Sequence, residues 1–375
     1  MMSIPFLDLR KINLEIDQEI RIAIDKVIDS GWYIMGNELV NFEHEMKKHL
    51  VPDQEGYVIG CNSGTDAIVL SLLAAGVKSG DEVITVSHTA IPTIAAIVGI
   101  GATPIFIDID DKTWVMDVEK VYNKISAKTK AIIAVHLYGN MVDVFSLKDI
   151  ITGCNREDIA IIEDVAQAQG AYLNGCQAGT IGDFGAFSFY PSKNIGALGD
   201  GGAVFCKNED KYELLCMLRN YGQKDRYSAI MPHGLNSRLD EVQASILTVK
   251  IKYLSDWNER KNKIMQYYRD ELLESDFEFQ DVTDNCKPGW HLCVIAFPNE
   301  SKRDNAIQML KEAGVHTLIH YPTPTHMQKA FSTFNEKKND LQNTESLAKR
   351  ILSIPFNTIL ADNEKNYIVD VLKKI

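Results

Sequence analysis

The residues best suited to chemistry surround one lysine, Lys193, in the stretch FSFYPSKNIGALGDGG at residues 187–202. This lysine precedes its glycines, whereas the phosphate loop of nucleotide-binding proteins places the lysine after them, and no GxGxxG opens a helix here. An amine buried beside aromatic residues such as Phe187, Phe189 and Tyr190 has a lowered pKa and can form a covalent bond with a carbonyl carbon. A surface lysine is the alternative that this stretch alone leaves open.

The stretch CNSGTDAI follows an apolar run and has the pattern of a helix start. Ser63, Gly64 and Thr65 could offer backbone N–H groups and hydroxyls to a phosphate at the positive end of that helix. An ordinary N-cap at Asn62 or Ser63 explains the same residues without a ligand.

A second polar pair, Glu163 and Asp164, ends the run IAIIED. Adjacent strand residues point to opposite faces of a sheet, so only one of these carboxylates can face a given ligand. An aspartate there could hold a ligand cation or a protonated ring nitrogen, and a solvated loop or a helix cap is the alternative.

The elements that must position these residues are apolar runs of strand length separated by helical patterns. Continuous apolar strands between helices predict an α/β fold with a mainly parallel sheet, whose ligands bind beyond the carboxyl ends of the strands. The predicted strands are YVIG (57–60), EVITV (82–86), TPIFIDI (103–109), AIIAVHL (131–137), IAIIED (159–164), GAFSF (185–189) and GAVFC (202–206).

The pattern changes near residue 250, where a long charged amphipathic helix begins. We predict a large domain over residues 1–250, with an N-terminal arm, and a small C-terminal α+β domain over residues 251–375. The large domain contains a helical segment at 118–125. The small domain contains the strand CVIAF (293–297), a helix near 302–313 and a C-terminal helical pair.

Composition excludes several classes of function. The chain of 375 residues has 39 Lys plus Arg against 51 Asp plus Glu, a net charge of −12, which disfavours nucleic acid and anionic membranes as partners. Its seven cysteines lack metal-binding spacing, which predicts reduced thiols and no metal site. The N-terminus lacks an apolar signal core, so we expect a cytoplasmic protein.

Taken in order, the motifs resemble those of the DegT/DnrJ/EryC1/StrS family of pyridoxal-phosphate-dependent nucleotide-sugar aminotransferases. The similarity extends from PFLDLRKINLEI and SGWYIMGNELVNFE through HLYGNMVDV, LRNYGQ and LNSRLDEVQASIL to IHYPTPTH. The resemblance implies the fold type I, aspartate-aminotransferase-like architecture. It also implies a homodimer in which each active site is completed by its neighbour.

The resemblance implies specific roles for the polar residues. Lys193 would bind pyridoxal 5′-phosphate covalently and later move the proton, and Asp164 would keep the pyridine nitrogen protonated. The other implied cofactor contacts are Gln167 near the phenolic oxygen, Gly64, Thr65 and Ser188 at the phosphate, and Asn236 donated to that phosphate across the dimer.

One segment departs from the family pattern. Many relatives carry an aromatic residue that stacks on the cofactor, and here SHTAIPT places Ala90 at that position. We expect His88 to stack in its place; a polar loop histidine is the alternative.

Sugar contacts are expected from His320, Tyr321 and His326 in IHYPTPTH and from Tyr221 in RNYG. The prolines of IHYPTPTH also simply end a strand. Interface packing is the alternative for Tyr221, as for Trp32 and Tyr33. Arg219 could pair with a phosphate or the glutamate carboxylate, or form an intrachain salt bridge.

The resemblance predicts transfer of the amino group of L-glutamate to C3 of a dTDP-3-keto-6-deoxyhexose, for cell-surface polysaccharide or glycoside biosynthesis. A C4 aminotransferase of a UDP- or dTDP-4-keto sugar is the first alternative, and a noncatalytic cofactor-binding regulatory protein is the second. Lys193 argues against the related sugar dehydratases, which carry histidine there. The missing glycine fingerprint argues against a nicotinamide dehydrogenase.

Overall fold

A seven-stranded sheet forms the centre of the molecule. The computed structural model describes residues 3–334 and 340–375. Within these ranges the strands are β1 (Tyr57–Cys61), β2 (Glu82–Val86), β3 (Thr103–Ile107), β4 (Thr129–Val135), β5 (Ala160–Asp164), β6 (Tyr172–Leu173), β7 (Cys176–Gln177), β8 (Phe184–Ser188), β9 (Gly202–Cys206), β10 (Gln223–Asp225), β11 (Ser228–Ala229), β12 (Glu278–Phe279), β13 (Cys286–Lys287), β14 (Cys293–Ala296) and β15 (Ile351–Ile354).

The central sheet has the order β1-β9-β8-β5-β4-β2-β3. The pairings among β8, β5, β4, β2 and β3 are parallel, and β9 is antiparallel to both of its neighbours. The seven runs predicted from the sequence are the seven strands of this sheet, and the prediction of a mainly parallel sheet is confirmed. The strand residues are almost all buried because helices cover both faces.

Twelve α-helices lie in the described part of the chain. They are α1 (Leu9–Leu14), α2 (Asp17–Ser30), α3 (Asn37–Leu50), α4 (Gly64–Ala74), α5 (Ile91–Gly99), α6 (Val144–Gly153), α7 (Glu209–Leu218), α8 (Glu241–Ile251), α9 (Leu254–Glu271), α10 (Glu300–Glu312), α11 (Gln342–Arg350) and α12 (Asp362–Leu372).

The helix predicted at 118–125 is instead two short 3-10 turns, Val118–Lys120 and Tyr122–Lys124. Val121 lies between the two turns, and its side chain is fully buried. The segment therefore turns a valine inward, but it does not continue into an α-helix.

The C-terminal part contains a smaller sheet, β12-β14-β15, with α10, α11 and α12 around it. Its core is a second hydrophobic cluster that includes Ile264, Ile295 and Leu352, whereas Trp257 belongs to the cluster of the central sheet. Helix α9 thus contributes to both cores. The N-terminal Ile4 also pairs with Val315 in the C-terminal part, so the arm extends beyond the large domain. The boundary at residue 250 stays a prediction.

Two further observations concern the whole described chain. All seven cysteines are unpaired thiols. In the described ranges, no helix combines the length and the apolar character needed to cross a membrane.

Candidate active site

Lys193 and Asp164 face one cavity of about 400 Å³ at the carboxyl ends of β1, β5 and β8. Strands that end at one edge of a parallel sheet bring distant polar residues together there. The predicted site residues that line this cavity are Gly64, Thr65, Asp164, Gln167, Ser188, Lys193, His320 and Tyr321.

The Lys193 amine is buried, and the carboxylates of Asp164 and Asp200 line the same cavity. Burial lowers the pKa of this amine to about 8, although the negative charge of Asp164 opposes the shift. An amine with this pKa is uncharged in a useful fraction of molecules near neutral pH, as attack on a carbonyl requires. The aromatic setting predicted for it is only partly present, because Phe187 and Phe189 are buried but Tyr190 is exposed.

The loop that carries Lys193 is fixed from several sides. The Gln169 side chain donates to the Ser188 carbonyl at 2.7 Å and accepts from the Ile195 N–H at 2.7 Å. The Asn194 side chain donates to the Gly289 carbonyl at 2.9 Å. These bonds on both sides of the lysine restrict where its amine can lie.

The two carboxylates at the end of β5 have opposite environments, as the sequence predicted. Asp164 is buried at the cavity and accepts hydrogen bonds from the Thr93 hydroxyl at 2.9 Å and the Ala166 N–H at 3.1 Å. Burial is the main influence on its carboxyl and raises its pKa, which makes a cationic partner favourable.

On the other face, Glu163 is saturated with hydrogen bonds. It accepts from the His136 ring at 2.9 Å and from the N–H groups of Gly179, Ile181 and Gly182 at 2.7 to 2.9 Å. Burial alone would raise the pKa of the Glu163 carboxyl, but His136 and these N–H groups lower it below its usual value. Glu163 therefore fixes the end of β5, and Asp164 remains available to a ligand.

Helix α4 starts at the cavity wall. The Ser63 hydroxyl accepts from the Asp66 N–H at 3.1 Å, so the predicted N-cap is present at the same residues as the predicted phosphate contact. A Cβ added at Gly64 would lie 2.5 Å from the Ser188 Cβ, and one at Gly202 would lie 2.2 Å from the Ser63 carbonyl oxygen. Close packing here requires glycine, and it leaves the first N–H groups of α4 open to an anion.

Gln167 connects the cavity to the segment between α10 and α11. Its carbonyl oxygen accepts from the Tyr138 N–H at 2.8 Å, and its amide donates to the Tyr321 hydroxyl at 2.9 Å. Because the Tyr321 oxygen is the acceptor of that bond, its own O–H is free to donate into the cavity. Burial raises the pKa of Tyr321 to about 12, so the hydroxyl keeps its proton at neutral pH.

His88 does not line the cavity, whereas Ala90 does. The His88 ring is buried, and its Nε2 lies 2.8 Å from the Tyr138 hydroxyl. Since that hydroxyl donates to the His320 carbonyl, His88 is the donor to Tyr138. The structure therefore orients His88 toward Tyr138 through a hydrogen bond, and stacking of His88 on a cofactor stays a prediction.

Three other predicted residues also lie outside the cavity lining. His326 is buried, and its ring nitrogens lie 2.5 Å from the Ser87 hydroxyl and 3.2 Å from the Glu345 carboxylate, so its contact with a sugar stays a prediction. Tyr221 is half exposed beneath the Arg238 guanidinium. Asn236 is exposed and pairs with Asn220 through the backbone. The roles expected for Tyr221 and Asn236 stay predictions.

Arg219 has the role that was its structural alternative, whereas interface packing of Trp32 and Tyr33 stays a prediction. Arg219 is buried, pairs with Glu43 and donates to the Gly60 carbonyl at 2.9 Å, so it forms the intrachain salt bridge. Trp32 and Tyr33 are exposed by 63% and 53%, and neither lines the cavity.

Three residues of the site were missed from the sequence. Thr93 holds Asp164, and its only signal is its position in the first turn of a helix that follows β2. Gln169 ties the lysine loop and lies two residues after Gln167. His291 lines the cavity, and burial followed by the charges of Lys193, Lys261 and His320 lowers its pKa well below its usual value. A lone histidine before a strand gives no signal in sequence.

This arrangement fits pyridoxal phosphate. It combines a buried amine of lowered pKa, a buried carboxylate for the ring nitrogen and a helix start whose N–H groups can bind the phosphate. The mainly parallel sheet and this site define a pyridoxal-phosphate enzyme of the aminotransferase type.

Comparison with known proteins identifies the family. The model of the DegT/DnrJ/EryC1/StrS aminotransferase family matches residues 14–373, and the chain belongs to this family. The solved structure of NtdA from Bacillus subtilis, 29% identical to this chain, contains the bound cofactor in its pyridoxamine form, PMP. The chain is therefore a pyridoxal-phosphate-dependent aminotransferase.

Individual relatives cover almost the entire chain. It is 39% identical to the erythromycin biosynthesis sensory transduction protein EryC1 of Saccharopolyspora erythraea, over 99% of both chains. It is also 39% identical to the dTDP-3-amino-3,6-dideoxy-alpha-D-galactopyranose transaminase of Aneurinibacillus thermoaerophilus, again over 99% of both. The crystal structure of DesV from S. venezuelae with a ketimine intermediate superposes with a TM-score of 0.94 at 35% identity, covering 100% of this chain and 98% of that one.

The contact between Gly64 and Ser188 gives a first prediction. Gly64→Ala places a Cβ against Ser188, so it should displace the start of α4, weaken cofactor binding and destabilise the protein by about 1–3 kcal/mol. Gly99→Ala is the matched control, because its Cβ would meet nothing within 4 Å. Cofactor titration and thermal unfolding measure both effects. Equal cofactor affinity in the two variants would contradict the role of Gly64.

The charge of Asp164 gives a second prediction. Asp164 raises the pKa of Lys193 toward its usual value, so Asp164→Asn should lower that pKa further below about 8. The pH profile for cofactor uptake by the apoprotein depends on the uncharged amine, and its midpoint should move to lower pH. Asp210→Asn, on exposed helix α7, should leave the midpoint unchanged. A midpoint that stays or rises in Asp164→Asn would refute this coupling.

Proposed function

We propose that the enzyme transfers the amino group of L-glutamate to the keto carbon of a nucleotide-linked deoxysugar, at C3 of a dTDP-3-keto-6-deoxyhexose. The product would be a deoxyamino sugar for cell-surface polysaccharide or glycoside biosynthesis, made in the cytoplasm. The observation that carries this proposal is the pairing of Lys193 and Asp164 in one cavity of a chain whose relatives include a C3 sugar transaminase.

The residues of the chain have defined tasks in this reaction. When bound, pyridoxal phosphate supplies a carbonyl that accepts the amino group and a ring that withdraws electrons from the reacting carbon. Asp164 would stabilise the positive charge on the ring nitrogen. The start of α4 at Gly64 and Thr65, with Ser188, would bind the phosphate.

The Lys193 amine transfers the protons in both halves of the reaction. In the first half, Nζ accepts the proton from the α-carbon of glutamate, which leaves as 2-oxoglutarate. In the second half, Nζ delivers a proton to the former keto carbon of the sugar, which leaves as the amine. A pKa of about 8 suits both directions, since the amine exchanges a proton readily near neutral pH.

The same proposal requires a homodimer with shared active sites. Support comes from side chains that a single copy leaves exposed: Trp32, Tyr33 and Tyr227 have exposures of 63%, 53% and 86%. Large exposed aromatic residues are typical of interfaces. Asn236 is also exposed, as a residue donated to the phosphate of another copy would be.

The alternative of a noncatalytic regulatory protein is raised by the name of the EryC1 relative. A regulator does not need a lysine of lowered pKa, and Lys193→Ala separates the two functions. This variant should lose turnover and the visible absorbance of the lysine-bound cofactor, while its thermal unfolding stays close to that of the unmodified protein. Retention of turnover and of this absorbance would refute the mechanism.

Substrate position is tested with glutamate and a panel of 3-keto and 4-keto sugars linked to dTDP or UDP. We expect the 3-keto dTDP sugar to give the highest kcat/KM. Double-reciprocal plots at several glutamate concentrations should be parallel lines, as expected for ping-pong kinetics. Lys193→Ala is the control for nonenzymatic amination. Preference for a 4-keto sugar would favour the C4 alternative, and turnover of none would favour the regulatory one.

A further inference from the structure

A second cavity of about 690 Å³ lies on the other side of Lys193. It shares Tyr190, Ser192, Lys193, His291 and His320 with the cavity already described, so the two meet at the lysine. Its outer wall is formed by the N-terminal arm, including Phe6. A volume in this range is typical of sites for small organic ligands.

The charges of the second cavity have one sign. Its lining includes Lys250 and Lys261, from α8 and α9, together with Lys193, and no aspartate or glutamate of the described ranges is part of it. This is unexpected in a chain with a net charge of −12. The cavity therefore concentrates positive charge that the protein does not itself neutralise.

Lys250 and Lys261 are both buried and incompletely hydrogen-bonded. The Lys250 ammonium donates to the Gly196 carbonyl at 2.6 Å, and the Lys261 ammonium donates to the Asn194 side-chain oxygen at 3.0 Å. An ammonium group has three N–H donors, so in the described structure each retains two without a protein acceptor. Burial lowers the pKa of Lys250 to about 8 and of Lys261 to about 7, and a bound anion would stabilise their charged forms.

A third polar group at this cavity also lacks a partner. His291 is 8% exposed, and its Nδ1 makes no hydrogen bond within the described residues. Aromatic walls accompany the cations, because Phe6, Trp257 and Phe356 belong to the same lining. Cations among apolar walls suit an organic anion better than a bare inorganic ion.

We propose that this second cavity binds the oxyanionic group of a substrate that reacts at Lys193, with Lys250 and Lys261 as its cationic contacts. The shared chemistry is an organic dianion, and it has two sources in the proposed function: the carboxylates of the amino donor or the diphosphate of the nucleotide sugar. The inference rests on the proposed function for these two sources. Binding itself can be measured without turnover.

Calorimetric titration of the pyridoxal-phosphate form tests the proposal with two probes, 2-oxoglutarate and dTDP. At least one probe should bind, and Lys261→Met should weaken it roughly tenfold to hundredfold, as expected for losing a charge-assisted hydrogen bond. Lys261→Arg should retain most of the affinity. Lys263→Met is the matched control, because Lys263 lies on the same helix but is exposed and paired with Glu259. The probe whose affinity falls in Lys261→Met shows which substrate supplies the anionic group.

Lys250→Met tests the same cavity independently, in case Lys261→Met fails to fold. The visible absorbance of the bound cofactor and the unfolding temperature show whether each variant keeps the lysine loop. If neither probe binds the unmodified protein, or if folded Lys250→Met and Lys261→Met bind both probes with unchanged affinity, the proposal is wrong. If a probe binds in a lysine-dependent way but no keto sugar is turned over, the proposed function is contradicted. The assignment of the second cavity as an anion site would still hold.

Discussion

The hydrogen bonds accepted by Glu163 are the interaction on which the site depends. Four donors, the His136 ring and three backbone N–H groups, surround this buried carboxylate and fix the end of β5. Breaking one partner of such a buried set is strongly destabilising, because it leaves an uncompensated charge. Since neighbouring strand residues face opposite ways, a fixed Glu163 also fixes the direction of Asp164. The ligand-facing carboxylate is thus positioned by its neighbour.

The lysine is positioned by a different set of contacts. Gln169 bridges the end of β8 and the residue that follows Asn194, and Asn194 is itself bonded to Gly289 and Lys261. These partners come from three separate segments of the chain, so the position of the lysine loop depends on how all three segments pack. A site assembled in this way is held within the narrow geometry that proton transfer needs.

Much of the fold could be predicted because its strands are continuous apolar runs. The seven runs appear as the seven central strands, and the residues at their carboxyl ends meet in one cavity. Long-range partners could not be predicted. Thr93 and His291 are single polar residues whose spacing carries no chemical signal, and the hydrogen bond of His88 to Tyr138 joins positions 50 residues apart.

Two carboxylates, Asp164 and Asp200, line the cavity at Lys193, whereas the second cavity contains no aspartate or glutamate of the described ranges. Asp164 is the negative charge that raises the pKa of this amine, and burial lowers that pKa to about 8. A carboxylate in the wall of the second cavity would further stabilise the ammonium form and oppose the uncharged amine on which attack depends. The second cavity therefore adds no negative charge that would raise the pKa of Lys193, and it presents Lys250 and Lys261 to the proposed anionic group, so reactivity and recognition both depend on the lack of carboxylates in its described lining.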